Sequence, residues 1–131
     1  MAVTAKTFEY AVELDAGGRL TIPGGGQFVT PEGWSADHLQ LAPLVRCSID
    51  SLVYHARRAG HEVTTATGSA HGTITKTGDD GRYRFVAIDV RLDVQLIPRV
   101  SDPSALLVKA ERDCFVGASL TVKPEYEWHV S

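Results

Sequence analysis

The chain has 131 residues, enough for one domain with a single core and too few for two independent ones. Its composition is that of an ordinary soluble globular protein: 44% hydrophobic, 22% charged, a formal net charge of −3 and no acidic or basic block, so no nucleic-acid partner is expected. The opening MAVTAKTFEY has no apolar run of signal-peptide length, and no stretch approaches the roughly 18 to 20 apolar residues that cross a bilayer. A cytoplasmic protein with no membrane partner is the expectation.

In FEYAVEL, residues 8 to 14, Phe8, Tyr10, Val12 and Leu14 alternate with polar or small neighbours, the period of a strand with one buried face. DAGG turns the chain, RLTI reads as a second short strand, and PGGGQFVTPEG is a loop with room for a third. From Ser35, a plausible N-cap, the pattern becomes helical, with Asp37 in the first turn and apolar Leu39, Leu41, Leu44 and Val45. Pro43 lacks an amide and its ring crowds the Leu39 carbonyl, which predicts a kink there or a division into two helices. Gly60 supplies the stop.

Residues 61 to 76, rich in Thr with Gly68 and Gly72, suit a twisted or bulged strand, and TGDDGR is a hairpin turn. In RYRFVAIDVRLDVQLI the residues Val86, Ile88, Val90, Leu92, Val94 and Leu96 share one face of a long strand. SDPSALLVKAERDC opens a helix with Asp102 as N-cap and Pro103 first, and Leu106, Leu107 and Ala110 form its buried stripe. LTVKPEYEWHV is a last strand, and Pro124 places an edge or bend in it. Strands, long helix, strands, short helix and strand, without strict alternation, make an α+β fold in one domain, 1–131.

Two cysteines are the natural candidates for chemistry. Zinc is set aside, because Cys47 and Cys114 stand far apart and the five histidines, His38, His55, His61, His71 and His129, show no ligand spacing. On the long helix Val45, Ile49, Leu52, Val53 and Ala56 fall within about 100° of one another, while Cys47 lies in a row with Ser51, Tyr54 and Arg58 on the other side. Cys114 extends the stripe of Leu107 and Ala110. Both the reading of a buried inert thiol and that of a reactive pair, one thiol forming a sulfenic acid and the other condensing with it, stand at this point.

The stretch TPEGWSADHLQLAPLVRCSIDSLVYHARRAGHEV resembles the cysteine helix of the OsmC/Ohr family, and LVKAERDCFVGASLTVKPEYEW resembles that family's second motif, a short helix ending at Cys-Pro-Val-Ser before the last strand. The order of elements matches from about residue 8 to 130. The resemblance implies an OsmC-like fold, antiparallel sheets around a long cysteine-bearing helix in an intertwined homodimer. It also implies a thiol-dependent peroxidase of oxidative-stress defence, acting on organic hydroperoxides or hydrogen peroxide. By it Cys47 matches the peroxidatic cysteine and Cys114 the resolving one. Asp37 stands where the family has a glutamate ten residues before the cysteine, and Arg19 matches the arginine that supports the thiolate. No cofactor is implied beyond an external dithiol or lipoyl-type reductant. Three departures are visible: Asp37 is a methylene shorter than glutamate, PLVRC replaces a run of small residues, and CFVG stands for Cys-Pro-Val-Ser.

On a continuous helix ten residues put Asp37 ~15 Å from Cys47 along the axis, so their cooperation requires a second subunit. Arg46, next to Cys47, projects ~100° away from it and does not substitute for Arg19. A cysteine hydrolase with His38, His55 or His61 as base has no local signature, and PGGG lacks the Lys that a phosphate loop carries. The competing reading from another class is a non-catalytic dimeric module of the same fold, holding a hydrophobic small molecule near Trp34, Tyr54 and Phe115.

Overall fold

A computed structural model describes residues 5–131. The chain divides into two compact units, up to Ser35 and from Ala36 to Ser131. The first is an antiparallel meander of three short strands, β1 (Glu13–Leu14), β2 (Arg19–Thr21) and β3 (Gln27–Val29), ordered β1-β2-β3. The strand expected over residues 8 to 14 is thus confined to its last two residues. The three residues of β2 offer it only Thr21 and Leu20 as partners, for Glu13 and Leu14. At the turn, Asp15 accepts from the amides of Gly17 and Arg19 through one carboxylate oxygen, and Gly18 takes the positive φ of 81° that a glycine tolerates.

The second unit is built on α1 (Ala36–Arg58), which starts directly after Ser35 as predicted. It runs through Pro43 as one helix, correcting the expected division. Pro43 is exposed, while Leu44 on the next position is fully buried. The chain reverses at Gly60, with φ 87°, into β4 (Glu62–Lys76), which pairs antiparallel with β5 (Tyr83–Ile97). β4 is bulged between Val63 and Thr65 and again between Thr73 and Ile74. Gly68 serves a different need. A Cβ there would lie 2.6 Å from Leu92 Cδ2 and 2.9 Å from Val45 Cγ1, so its absence lets α1 lie close on the sheet.

Ile88, Val90, Leu92, Val94 and Leu96 of β5 are buried, and Asp89, Arg91, Asp93 and Gln95 between them are exposed, the alternation predicted for this strand. After β5 come α2 (Ser104–Arg112), the short α3 (Phe115–Ala118) and β6 (Glu125–Val130), which pairs with β5 in parallel to give the order β4-β5-β6. A parallel neighbour needs a crossover, and α2 and α3 provide it. The α2 helix begins one residue later than expected, at Ser104, so Pro103 and not Asp102 is its N-cap; Asp102 stands one residue further out and accepts from the Ser104 amide at 3.1 Å and hydroxyl at 2.6 Å, a local turn bond. β6 begins directly after Pro124, which has no amide to give to a ladder.

The core has two parts. Leu44, Ile88, Val90, Leu92 and Cys114 form one, and Leu52, Val94 and Ala110 the other. On α1 the buried face is Leu44, Ser48, Ser51, Leu52 and Ala56; it shares Leu52 and Ala56 with the predicted stripe but is rotated from it, and Val45, Ile49 and Val53 are only half-buried. Two serines can lie inward because each hydroxyl has a backbone acceptor, Leu44 O for Ser48 at 2.7 Å and Ala110 O for Ser51 at 2.8 Å. Cys47 consequently sits at the rim of the buried face, ~60° from Leu44 and ~40° from Ser51 around the helix, and not on the side opposite the core.

Candidate functional site

The middle of α1 and the junction between α2 and α3 meet around two sulfur atoms. Cys114 ends the stripe of Leu107 and Ala110, is 0% exposed, and takes the N-cap position of α3 in an extended conformation, φ −77° and ψ 105°. Its Sγ accepts from the Gly117 amide at 3.4 Å and lies 3.6 Å from Ser48 Oγ. Cys47, half-buried one helical position before Ser48, has the Cys114 thiol within hydrogen-bonding reach and receives the backbone N–H groups of Val116 and Phe115. One turn of chain therefore presents three successive amides to the two sulfurs, two to Cys47 and one to Cys114. Both cysteines are free thiols.

The electrostatics of Cys47 are those of a partly buried thiol. Burial pushes its pKa up, the Val116 amide pulls it back, the neighbouring Cys114 thiol pushes it up again, and the Phe115 amide lowers it a little; the net direction is upward. Within residues 36–131 no cationic side chain acts on it. Arg46 points away into solvent and is held by Asp50 at 3.1 and 3.2 Å. Arg19 lies on β2 in the other unit, where its guanidinium pairs with Asp15 at 2.9 Å. Asp37 occupies the first turn of the unbroken α1, ten residues before Cys47. The residues 36–131 thus join Cys47 to Cys114 and leave Asp37 ~15 Å away along the axis.

A polar network missing from the sequence reading continues inward from Cys114. Ser48 Oγ is 3.1 Å from the hydroxyl of Tyr126, whose ring stacks on Trp128 with centroids 5.9 Å apart. Burial raises the Tyr126 pKa to about 12, so its hydroxyl stays protonated near neutral pH. Trp128 Nε1 donates to Glu111 Oε2 at 3.0 Å. Gly117 makes room for this arrangement, since a Cβ there would meet the Tyr126 hydroxyl at 3.2 Å and Cys114 Sγ at 3.5 Å. The only sequence signal for Tyr126 was its phase in the last strand, which marks it as a core residue and says nothing of its hydroxyl.

The junction is anchored beside Cys114 as well. Asp113 accepts from His55 Nε2 at 2.7 Å and pairs with Arg112 at 2.8 Å, which holds its carboxyl at about 2. His55 is thereby engaged away from Cys47, and His61 Nδ1 is bonded to the Pro98 carbonyl at 2.6 Å, so neither stands as a base to that thiol. Tyr54, 57% exposed beneath the Arg58 guanidinium, and Phe115, 60% exposed, are surface residues of this unit and not core. A cleft of about 510 Å³ is bordered by Glu111, Arg112, Gly117, Lys123 and Tyr126.

No protein-family model and no curated relative matches the sequence. Solved structures match it over nearly its whole length. An OsmC-like protein from Mycoplasma pneumoniae superposes with a TM-score of 0.73 at 13% identity, covering 97% of this chain and 99% of its own. An OsmC-like protein of unknown function from Vibrio cholerae gives 0.74 at 15%, covering 93% and 99%. An organic hydroperoxide resistance protein from Elizabethkingia anophelis gives 0.65 at 16%, covering 98% and 99%. At these identities the likeness is one of architecture, and the chain has the fold of the OsmC and organic hydroperoxide resistance proteins.

Proposed function

We propose that this chain is a cysteine-based peroxidase that reduces organic hydroperoxides or hydrogen peroxide. The observation that carries the reading is the contact between the Cys47 and Cys114 thiols at the rim and floor of one site, in a fold shared with proteins named for organic hydroperoxide resistance. The half-buried Cys47 thiolate attacks the distal peroxide oxygen; an S–O bond forms, the O–O bond breaks, and the alcohol leaves after taking a proton. Cys114 then attacks the sulfur of the Cys47 sulfenic acid, forming the disulfide and releasing water. A dithiol of small or lipoyl type returns both cysteines to thiols. The amides of Phe115 and Val116 stabilise the attacking thiolate.

In this reading the protein is a cytoplasmic homodimer and needs no bound cofactor. A second copy supplies one member of the Asp37–Cys47 pair, and Arg19 is the guanidinium that offsets the burial of Cys47. A second reading is favoured by that upward shift: a non-catalytic dimeric module that holds a hydrophobic small molecule and keeps Cys47 inert.

The test is to add one equivalent of cumene hydroperoxide to the reduced protein and count thiols. Loss of two thiols with consumption of the peroxide is expected, with none lost in Cys47→Ser and a dimedone-reactive sulfenic acid left in Cys114→Ser. Intact peroxide and unchanged thiols would overturn the peroxidase and leave the binding module.

A further inference from the structure

The Cys114 sulfur is fully buried, yet a thiol must give up its proton before it attacks another sulfur. The groups around it determine how that charge is carried. Ser48 has a single hydroxyl proton, and it is committed to the Leu44 carbonyl at 2.7 Å. Its two lone pairs are then open, and two groups stand within reach, the Tyr126 hydroxyl at 3.1 Å and the Cys114 thiol at 3.6 Å. With Ser48 donating elsewhere, its oxygen can only accept from these two groups, and the Tyr126 hydroxyl is also within hydrogen-bonding reach of Cys114 itself. The Tyr126 hydroxyl, pushed up to about 12, keeps its proton through this range.

Resting on the assignment of Cys114 as the resolving thiol, we propose that Ser48 serves the resolving step directly and that Tyr126 positions it. When Cys114 loses its proton the sulfur changes from donor to acceptor. A rotation of the Ser48 hydroxyl from the Leu44 carbonyl to Cys114 Sγ then supplies a donor without moving any backbone. The Leu44 carbonyl lies in the body of α1, where the peptide amide of Ser48 is its ordinary partner, so it is not orphaned by the rotation. Tyr126 continues to donate to Ser48 Oγ, and the chain Tyr126 O–H to Ser48 O–H to sulfur runs in one direction, each bond polarising the next. The Gly117 amide, 3.4 Å away, is the second donor to the same sulfur. The thiolate so held attacks Cys47; the S–S bond forms, the S–O bond of the sulfenic acid breaks, and the departing hydroxide takes up the proton that Cys114 released, giving one water.

A purely structural role for the two hydroxyls predicts lower stability and nothing else, so the test reads closure of the disulfide against pH. Full-length wild type, Ser48→Ala and Tyr126→Phe are oxidised separately with diamide and with cumene hydroperoxide, quenched with N-ethylmaleimide and analysed by mass. Diamide makes an adduct on one thiol that the other displaces, so it drives the same closure without peroxide chemistry. The expected result is a pH midpoint for closure that moves upward in both variants, with closure near neutral pH slowed roughly tenfold or more in Ser48→Ala and about threefold in Tyr126→Phe. With excess peroxide the ratio of Cys47 sulfinic acid to disulfide rises in the same order. Closure at the wild-type rate and midpoint in both variants overturns the inference, as does a wild type that closes with neither oxidant. A wild type that closes with diamide but ignores the hydroperoxide removes the peroxidase reading alone, and the diamide midpoints still decide this one. Tyr126→Phe retains the ring stacked on Trp128, and its midpoint is decisive by itself where Ser48→Ala does not fold.

Discussion

Cys47 and Cys114 lie near each other, but opposite kinds of structure hold them. Cys47 rides on the rim of a long helix, half-covered, and its only fixed donors within residues 36–131 are backbone amides of a short turn. Cys114 is in the core with Ile88, Val90 and Leu92, and it has the Gly117 amide and the hydroxyls of Ser48 and Tyr126 within hydrogen-bonding reach. The first environment gives access and leaves the charge poorly supported; the second denies access and surrounds the sulfur with hydrogen-bonding groups. A thiol that must meet an outside molecule and a thiol that must meet only its neighbour need those two environments respectively.

The sharpest test of that contrast is alkylation of the native reduced protein with iodoacetamide, followed by peptide mass analysis. Cys47 is expected to react at least on the order of a hundredfold faster than Cys114, whose label should appear only as fast as the core opens. Equal rates would mean that the turn carrying Cys114 opens as readily as the rim, and the distinction between the two sites would collapse.

A smaller effect comes from the amides. Because the Cys47 pKa is raised, its alkylation rate should keep climbing about tenfold per pH unit beyond the ~8.5 at which an ordinary thiol levels off. Phe115 opens α3, and Cys114 before it is extended, so Phe115→Pro fits the backbone while deleting one donor to Cys47. Its pKa should rise further and its alkylation at neutral pH slow by roughly threefold. An unchanged profile would show that the Phe115 amide contributes nothing to the thiolate.

How far these environments were legible in the sequence differs by element. β5 was readable residue by residue because period-two alternation on a central strand maps directly onto its buried and exposed faces. The extent of α1 was readable at both ends, from Ser35 and Gly60, but its face only in part, through Leu52 and Ala56. Ser48 and Ser51 count as polar in any periodicity, and only their backbone acceptors, one of them on α2, make their burial tolerable. Pro43 does not divide the helix, one of the two outcomes expected of it, and stands at an exposed position of α1. The joining of Cys47 to Cys114 came from resemblance alone, because 67 residues separate them and no local pattern encodes the contact. Tyr126 and Gly117 were invisible as site residues: one looks like strand core, the other like a loop.

The smallest expected effect lies in the anchor next to Cys114. Asp113 is bound by Arg112 and by His55, a nearly buried side chain of α1, and so pins the end of α2 to the helix that carries Cys47. Its carboxyl titrates at about 2 in the folded chain against an ordinary 3.8, so the native state holds the charged form more strongly than the unfolded state does. The stabilisation is fully present above pH 4 and is lost as pH falls through the interval down to about 2. In Asp113→Asn that part of the acid dependence should disappear, with a lower melting temperature at pH 6 and a smaller gap from wild type at pH 2.5. Cys114 alkylation should quicken in the variant at pH 7 while Cys47 alkylation changes little, because the anchor restrains the junction and not the rim. A variant that melts in parallel with wild type across the whole acid range would show that the packing of Ala110 and Leu107 alone holds Cys114 in place.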